Sequence, residues 1–228
     1  MNKGDTTLQT EYIEKCRCPK GLWYFKIKWV RKIFSHKKER NLAQAKKGIY
    51  KFFRDEVVPL EVFVKRRYSN RCLVLPVNGN QAFDAKVYGP RGNLAEKIEI
   101  TYPQDGKAIA DSTRKMHERG YGTVRVYSIG EDVDALIPFI EETAIKKSHK
   151  DYSDCVLTFV LDFDLPYPEH KKEYIKKVKE LGLKIGHIHF KAKEVCFLVL
   201  PYKDLYYYQP GQLLFKDHRK RGSVGLDI

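Results

Sequence analysis

Residues 83–102 read FDAKVYGPRGNLAEKIEITY, and this stretch predicts two short strands joined by a turn. Apolar and polar residues alternate on both sides of a Gly-Pro-Arg-Gly-Asn cluster, as they do in strands that bury one face. A period of two groups the polar side chains of each strand on one face. These side chains are Asp84 and Lys86 on the first strand, and Lys97, Glu99 and Thr101 on the second. We therefore expect the carboxylates of Asp84 and Glu99 to meet across one hairpin.

Two facing carboxylates repel each other unless a cation or a proton lies between them. Hard oxygen ligands of this kind are typical of divalent-metal sites, so Asp84 and Glu99 predict a site for Mg²⁺ or Mn²⁺. The residues leave a second interpretation open. The hairpin face could be solvated, with the two acids paired to Lys86 and Lys97, since exposed cross-strand charge pairs are common.

The composition, with 43% hydrophobic and 32% charged residues among 228, is that of an ordinary folded protein. The sequence contains no apolar run of about 18 residues, so we expect no transmembrane segment. The first residues lack the apolar stretch of a secretory signal. Five scattered Cys residues fit a reducing compartment better than a disulfide framework. These features together predict a cytoplasmic protein.

The formal net charge is +14, and it is concentrated towards the N-terminus. Residues 1–70 hold 18 Lys and Arg against 7 Asp and Glu, a net of +11. Residues 71–228 hold 25 against 22, a net of +3. This asymmetry predicts a polyanionic partner, either nucleic acid or an anionic lipid surface. Because the chain has no lipidation motif, we expect nucleic acid.

Residues 1–35 are interpreted as a basic aromatic N-terminal arm. Within it, residues 21–34 (GLWYFKIKWVRKIF) interleave aromatic rings with Lys and Arg. The pattern suits a base-stacking surface or an amphipathic membrane-surface segment, and it equally suits a short strand or helix packed on the core. The Cys16-Arg17-Cys18 pair could supply two zinc ligands, but no second closely spaced pair follows, so free thiols are expected.

The chain from His36 to about Tyr68 is predicted to be helical and bent near Pro59, with an apolar stripe facing the core. Its outer arc is basic, and we expect phosphate contacts from Lys37, Lys38, Arg40, Lys46, Lys47 and Lys51. Downstream, the patterns predict strands over 71–77, 121–129, 154–162, 185–190 and 195–201, helices over 107–119, 131–147 and 168–181, and a basic tail over 206–228. The apolar run before Asp162 is expected to be a central strand buried on both faces.

The order of these elements, with acids on the second and third strands, resembles the PD-(D/E)XK superfamily, the restriction-endonuclease-like fold with an αβββαβ core. The resemblance covers roughly residues 40–165. It implies an α/β protein with a mixed central sheet, a single domain over residues 36–205 and a C-terminal β/α extension.

The resemblance also implies a catalytic site. Asp84 and Glu99 match the two metal-binding acids, and Ile100 would donate its carbonyl to Mg²⁺ or Mn²⁺. Thr101 stands where the family usually has Lys, and Phe83 stands where the name-giving Pro would be. A neutral hydroxyl cannot stabilise phosphorane charge, so Lys97 on the same face is a candidate for the missing cation. The alternatives lie on the following predicted helix and are Lys107, Arg114 and Lys115.

The function implied is a divergent metal-dependent nuclease that hydrolyses phosphodiester bonds, with DNA favoured over RNA, in a mobile-element or phage-defence context. A homodimer or a protein partner is a further expectation. The alternative is a non-catalytic nucleic-acid-binding or scaffolding protein that kept the fold. Two other motifs leave alternatives open. Asp162 and Asp164 resemble the start of an aspartyl-phosphate phosphatase, but an ordinary acidic loop is favoured. His187 with His189 could chelate a transition metal, but a surface or nucleic-acid contact is favoured.

Overall fold

The computed structural model describes residues 8–44, 48–79, 81–104, 106, 110–111, 114–115, 118, 131–162, 171–200, 204–209 and 212–217. The chain divides into two compact units, residues 1–95 (unit 1) and 96–228 (unit 2), and each is described by itself. The single domain expected over residues 36–205 stays a prediction. No described helix is both long and apolar enough to cross a lipid bilayer.

Unit 1 is mainly helical. Its helices are α1 (Thr10–Ile13), α2 (Pro19–Ser35), α3 (Lys37–Gln44), α4 (Ile49–Phe52), a π-helical turn (Phe53–Val57) and α5 (Val58–Arg67). The longest, α2, packs against α3 and α5 and buries Leu22, Trp29 and Ile33. Of the interpretations left open for residues 21–34, a helix packed on the core is therefore confirmed.

The N-terminus of α2 is formed by the Cys16-Arg17-Cys18 segment. The Cys18 thiol accepts a hydrogen bond from the Gly21 N–H at 3.3 Å, and Pro19 occupies the first turn, where its missing N–H costs no helical bond. All five cysteines are free. Free thiols were expected, and one of them caps a helix.

The helix predicted over residues 36–68 is interrupted twice. Gly48 has φ +52°, in the left-handed region that glycine tolerates, and it separates α3 from α4. The π-helical turn then precedes Pro59, which lies in the first turn of α5. The bend predicted near Pro59 stays a prediction, and the irregularity in this region is the π-helical turn. The interruption at Gly48 was not predicted, because the spacing of apolar residues continues across it.

Two short strands complete unit 1. Strand β1 (Leu73–Pro76) pairs antiparallel with β2 (Ala85–Tyr88), and Asp84 lies one residue before β2. The turn predicted over residues 89–93 is present: the Gly89 N–H donates to the Asn93 carbonyl, and Gly92 has φ +80°. Beyond this turn the chain enters β3 (Leu94–Thr101).

Unit 2 is a mixed α/β unit, as the sequence predicted. Its elements are β3, α6 (Glu131–Ser148), β4 (Asp151–Asp162), α7 (Lys171–Ile185), β5 (Lys191–Leu200), β6 (Asp204–Gln209) and β7 (Gln212–Asp217). The five strands pair in chain order, with β3, β4 and β5 parallel and with β5, β6 and β7 antiparallel. Helices α6 and α7 pack against each other. This is expected when two right-handed crossovers advance in the same direction along a sheet.

Strand β4 lies at the centre of this arrangement. It pairs with β3 on one side and with β5 on the other, and every residue from Cys155 to Leu161 is buried. Because neighbouring residues point to opposite faces, both faces of β4 are covered. The prediction of a central strand buried on both sides is confirmed.

Three predictions in unit 2 are wrong at the level of element bounds. Gly182 was expected to end its helix, but α7 continues to Ile185, whose burial outweighs the cost of about 1 kcal/mol for glycine in a helix. Residues 186–188 form turns and a bend and residues 189–190 are irregular, so the predicted strand over 185–190 is absent. Within the expected tail, residues 206–209 belong to β6 and residues 212–217 form β7. The predicted strand over 121–129 lies outside the described residues.

The buried centre of β4 makes one prediction about stability. Val160→Asp places an unpaired carboxylate at a site that is 1% exposed, and this should cost several kcal/mol, close to the whole stability of a domain. Leu183→Asp on α7, where the side chain is 49% exposed, is the matched control and should cost under about 1 kcal/mol. Urea denaturation of both variants checks this, and a stable Val160→Asp protein would contradict the strand order.

Candidate nucleic-acid interface and the Glu99 cluster

Glu99 is held by a lysine that sequence analysis did not identify. The carboxylate is on β3 and its residue is only 9% exposed. Its Oε1 accepts a hydrogen bond from Nζ of Lys147, in the last turn of α6, and the same Nζ donates to the Tyr152 hydroxyl at 3.2 Å. The partner of Glu99 is therefore Lys147 and not the Lys86 or Lys97 of the solvated-hairpin interpretation.

The charge state of this pair follows from two opposing effects. Burial lowers the pKa of Lys147, but the hydrogen bond and negative charge of Glu99, with the Tyr152 hydroxyl, more than offset it, so the pKa of Lys147 is raised. A raised pKa means that the Lys147 ammonium group is charged at neutral pH. The stabilisation that this charge provides is lost only as the pH rises through the folded-state pKa of Lys147.

Lys97 belongs to a second ion pair on the same face of the sheet. Its Nζ lies 2.5 Å from Oδ2 of Asp154, while the Cys155 Sγ donates to Oδ1 of Asp154 at 3.2 Å. The hydrogen bond to Asp154 raises the pKa of Lys97, and it lowers the pKa of Asp154 in turn. Burial raises the pKa of the Cys155 thiol to about 12, so this cysteine is not a reactive nucleophile.

The register of β3 against β4 puts the predicted catalytic residues together. Lys97, Glu99 and Thr101 pair with Cys155, Leu157 and Phe159, so the three share one face as expected. Thr101 is 6% exposed, and its Oγ1 has no hydrogen-bond partner among the described residues. Among the described residues, the two ion pairs and Thr101 therefore bring together two acids, two cations and one unsatisfied hydroxyl.

These residues do not by themselves form a metal site. Magnesium and manganese need several oxygen ligands, whereas the described part of unit 2 offers Glu99, already engaged by Lys147, and the backbone of Ile100 in the β3–β4 ladder. Asp84 belongs to unit 1, where it is half-buried and its carbonyl accepts from the Val77 N–H. Among the described residues, no three His, Cys, Asp or Glu side chains are grouped closely enough to hold a metal ion.

The other predicted site residues are dispersed. Asp162 is the exposed last residue of β4, and Asp164 lies outside the described residues. His187 and His189 are exposed in the turn after α7 and do not lie on a strand. Of the predicted phosphate contacts, Lys37, Lys38, Arg40 and Lys51 are exposed on unit 1, whereas Lys46 and Lys47 are not described.

Unit 1 presents aromatic rings and cations around the first turns of α2. A cleft of about 380 Å³, here called the Trp23 cleft, is lined by residues that include Lys20, Trp23, Lys65 and Tyr68. Lys65 Nζ lies 5.0 Å from the Trp23 ring centroid. Beside the cleft, the Tyr24 ring is 56% exposed and packs edge-on against Trp23, with centroids 4.7 Å apart.

A buried ion pair fixes one wall of the Trp23 cleft. Glu61 on α5 is 2% exposed and pairs with Lys26 of α2, while Lys65 Nζ lies 3.8 Å from its other oxygen. The backbone N–H of Lys20 also donates to Asn70 Oδ1 at 2.9 Å. These contacts hold the start of α2 against α5 and against the segment that follows α5. The aromatic surface therefore has a fixed shape.

Comparison of the chain with protein-family models, with curated proteins and with solved structures gave no significant match. The resemblance to restriction endonucleases therefore stays a prediction, which rests on the order of elements, on Asp84 and on the residues of β3. Any functional conclusion must come from the chemistry of the two sites just described.

Lys147 and Tyr152 could not have been assigned to the site from the sequence. Lys147 is separated from Glu99 by 48 residues, and its place in the last turn of an amphipathic helix is common for a surface lysine. Only the parallel pairing of β3 with β4 brings the end of α6 to Glu99.

The Glu99–Lys147 pair makes a prediction about stability. Lys147→Met leaves a buried carboxylate without its cation and should lower the free energy of unfolding by about 3 kcal/mol at pH 8. Because the pKa of Lys147 is raised, its ammonium group is charged at pH 5 and at pH 8, so its contribution to the stability of the wild type should be present at both pH values.

The control for this variant is Lys146→Met. The Lys146 side chain is 70% exposed, and its ion pair with Glu142 is a surface pair, so the change should stay within about 0.5 kcal/mol at both pH values. Urea denaturation at pH 5 and pH 8 measures both variants. Equal losses for the two would show that Lys147 does not compensate Glu99.

Proposed function

We propose that this protein binds nucleic acid through the basic aromatic surface of unit 1. The observation that carries the proposal is the Tyr24 ring, which is 56% exposed on α2 and lies next to Trp23. Exposed rings beside cations are the surface on which single-stranded nucleic acid stacks its bases. Lys20 Nζ, 5.9 Å from the Tyr24 ring centroid, is placed to contact a neighbouring phosphate.

The charge of unit 1 supports the same proposal. Residues 1–70 carry 18 Lys and Arg against 7 Asp and Glu, and the exposed cations of α3 continue the basic surface beyond α2. Phosphate contacts of this kind are independent of sequence and release counterions. Stacking on rings is also tolerant of sequence, because every base has a flat face. We therefore expect binding that depends strongly on salt and weakly on base sequence.

The Tyr24 ring supplies the test. Tyr24→Ala should weaken binding of a single-stranded oligonucleotide about tenfold, since a stacked base contributes roughly 1–3 kcal/mol. Tyr24→Phe keeps the ring and should bind as the wild type does. Fluorescence anisotropy with a labelled strand measures both. Loss of affinity in the Phe variant as well, or in neither variant, would contradict stacking on this ring.

Removing charge should have a different effect in the same assay. Replacing Lys37, Lys38 and Arg40 by Gln should reduce the slope of log affinity against log salt by roughly 2 to 3 units. The matched control is the same change at Lys172, Lys179 and Lys184, which are exposed on α7 of unit 2, and it should leave the slope unchanged. Binding to anionic vesicles in place of oligonucleotides would identify a lipid surface as the partner.

A second candidate function is metal-dependent hydrolysis of phosphodiester bonds, as expected of a divergent restriction-endonuclease-like protein. It is favoured by the face that Glu99 shares with Lys97 and Thr101, to which Lys147 adds a second cation. In this candidate, Lys147 or Lys97 takes the role of the lysine that the family usually has at the position of Thr101. The described ligand set is incomplete, so a bound ion would require Glu99 to exchange its lysine for the metal.

Metal binding is tested by thermal unfolding. At about 100 times the dissociation constant, Mg²⁺ or Mn²⁺ would stabilise the folded protein by about 2.7 kcal/mol and raise Tm by roughly 5 to 10 °C. Asp84→Asn and Glu99→Gln should each reduce that metal-induced shift, measured within each variant so that their own stability cancels. An unchanged shift in both variants, or no shift in the wild type, would reject the second candidate.

A further inference from the structure

A separate cleft in unit 1 collects positive charge. It has a volume of about 210 Å³ and lies between the segment after α1 and the middle of α2. Its lining combines three aromatic rings with four cations, Lys15, Arg17, Lys28 and Lys32. None of the described lining residues is acidic. We call it the Arg17 cleft.

The rings of this cleft are covered by the protein's own cations. Lys15 Nζ lies 5.6 Å from the Tyr12 ring centroid, the Arg17 guanidinium 4.0 Å from that of Phe25, and Lys32 Nζ 5.1 Å from that of Trp29. A ring face that already holds an ammonium or guanidinium group is not open to a stacking base. Each cation is instead positioned by the negative face of its ring, so the cleft is suited to an anion.

Arg17 is fixed more firmly than a surface arginine. Its guanidinium donates to the carbonyls of Ile13 at 2.8 Å and Lys15 at 2.9 Å, and also to that of Tyr12. Its backbone exchanges two hydrogen bonds with Val74 of β1, at 2.9 and 2.7 Å. The charge is therefore held in place before any ligand arrives, which lowers the cost of ordering on binding.

The acid nearest to Arg17 in the chain does not neutralise this charge. Glu14 is not among the described lining residues, and its Oε1 accepts a hydrogen bond from the Asn78 N–H at 2.7 Å. Four cations around one small cleft favour a dianion over a monoanion. A phosphomonoester carries between about −1.5 and −2 at pH 7, more than the single charge of a backbone phosphodiester.

We infer that the Arg17 cleft binds the phosphomonoester dianion, and that its source is the terminal 5′ phosphate of a nucleic-acid strand. A cleft of about 210 Å³ accommodates a phosphate group. The inference that a nucleic-acid strand supplies the phosphate rests on the proposed function, because stacking at the Trp23 cleft would hold the rest of that strand. The inference that the Arg17 cleft binds a phosphate does not depend on the proposed function.

The first experiment compares two labelled single strands that differ only at the 5′ end. The full-length protein should bind the 5′-phosphorylated strand about tenfold more tightly than the 5′-hydroxyl strand, as expected for charge-assisted hydrogen bonds to a dianion. Replacing both Lys15 and Lys28, which are exposed, by Gln should remove this preference. The control is Lys20→Gln, in the Trp23 cleft. It should lower the affinity for both strands by the same factor and leave the ratio of the two affinities unchanged.

The second experiment separates the phosphate site from the proposed function. The chain has two tryptophans, so Trp23→Phe leaves Trp29 as the reporter of the Arg17 cleft. Inorganic phosphate at constant ionic strength should change Trp29 fluorescence with saturation, and chloride should not. Saturation by phosphate without binding of either strand would retain the site and reject the nucleic-acid function. Absence of saturation, together with equal binding of the two strands or a preference that survives the double variant, would overturn the inference.

Discussion

The pairing of β4 on both sides is the constraint on which unit 2 depends. A strand whose neighbours are parallel must be joined to them by crossovers, and here α6 and α7 provide them. Both helices pack together, and the ion pair between Lys177 and Asp134 joins them at 2.5 Å. The end of α6 consequently lies next to the start of β4, and Lys147 can donate its hydrogen bond to Glu99.

The Glu99 cluster, which consists of Glu99, Lys147 and Tyr152, is thus a product of the topology. A buried carboxylate compensated by lysine is stable without metal, which suits a fold kept for binding. Metal-dependent hydrolysis, the second candidate function, would require Glu99 to exchange this lysine for a metal ion, whereas binding through the aromatic surface of unit 1 does not use this face.

Local patterns in the sequence were sufficient for much of the fold. The apolar run before Asp162 predicted a central strand, and the alternation around Glu99 predicted which side chains share a face, because both depend on periods of two residues. The end of α7 was mispredicted, since burial of Ile185 is a tertiary effect that outweighs the local preference of Gly182. The pairing of Glu99 with Lys147 could not be predicted from the sequence for a related reason. The two residues are separated by 48 residues and a crossover, so only the tertiary structure brings them together.

Lys65 contacts both a buried carboxylate and a surface aromatic ring, and this limits which substitutions unit 1 can accept. Its ammonium group lies between the buried Glu61 carboxylate and the Trp23 ring, so it belongs to the interior and to the surface at once. A change at Glu61, which no ligand could touch, would release Lys65 and alter the Trp23 cleft from behind. Substitutions on this surface are therefore constrained by the core beneath it, and substitutions at Glu61 and Lys65 should be correlated among related chains.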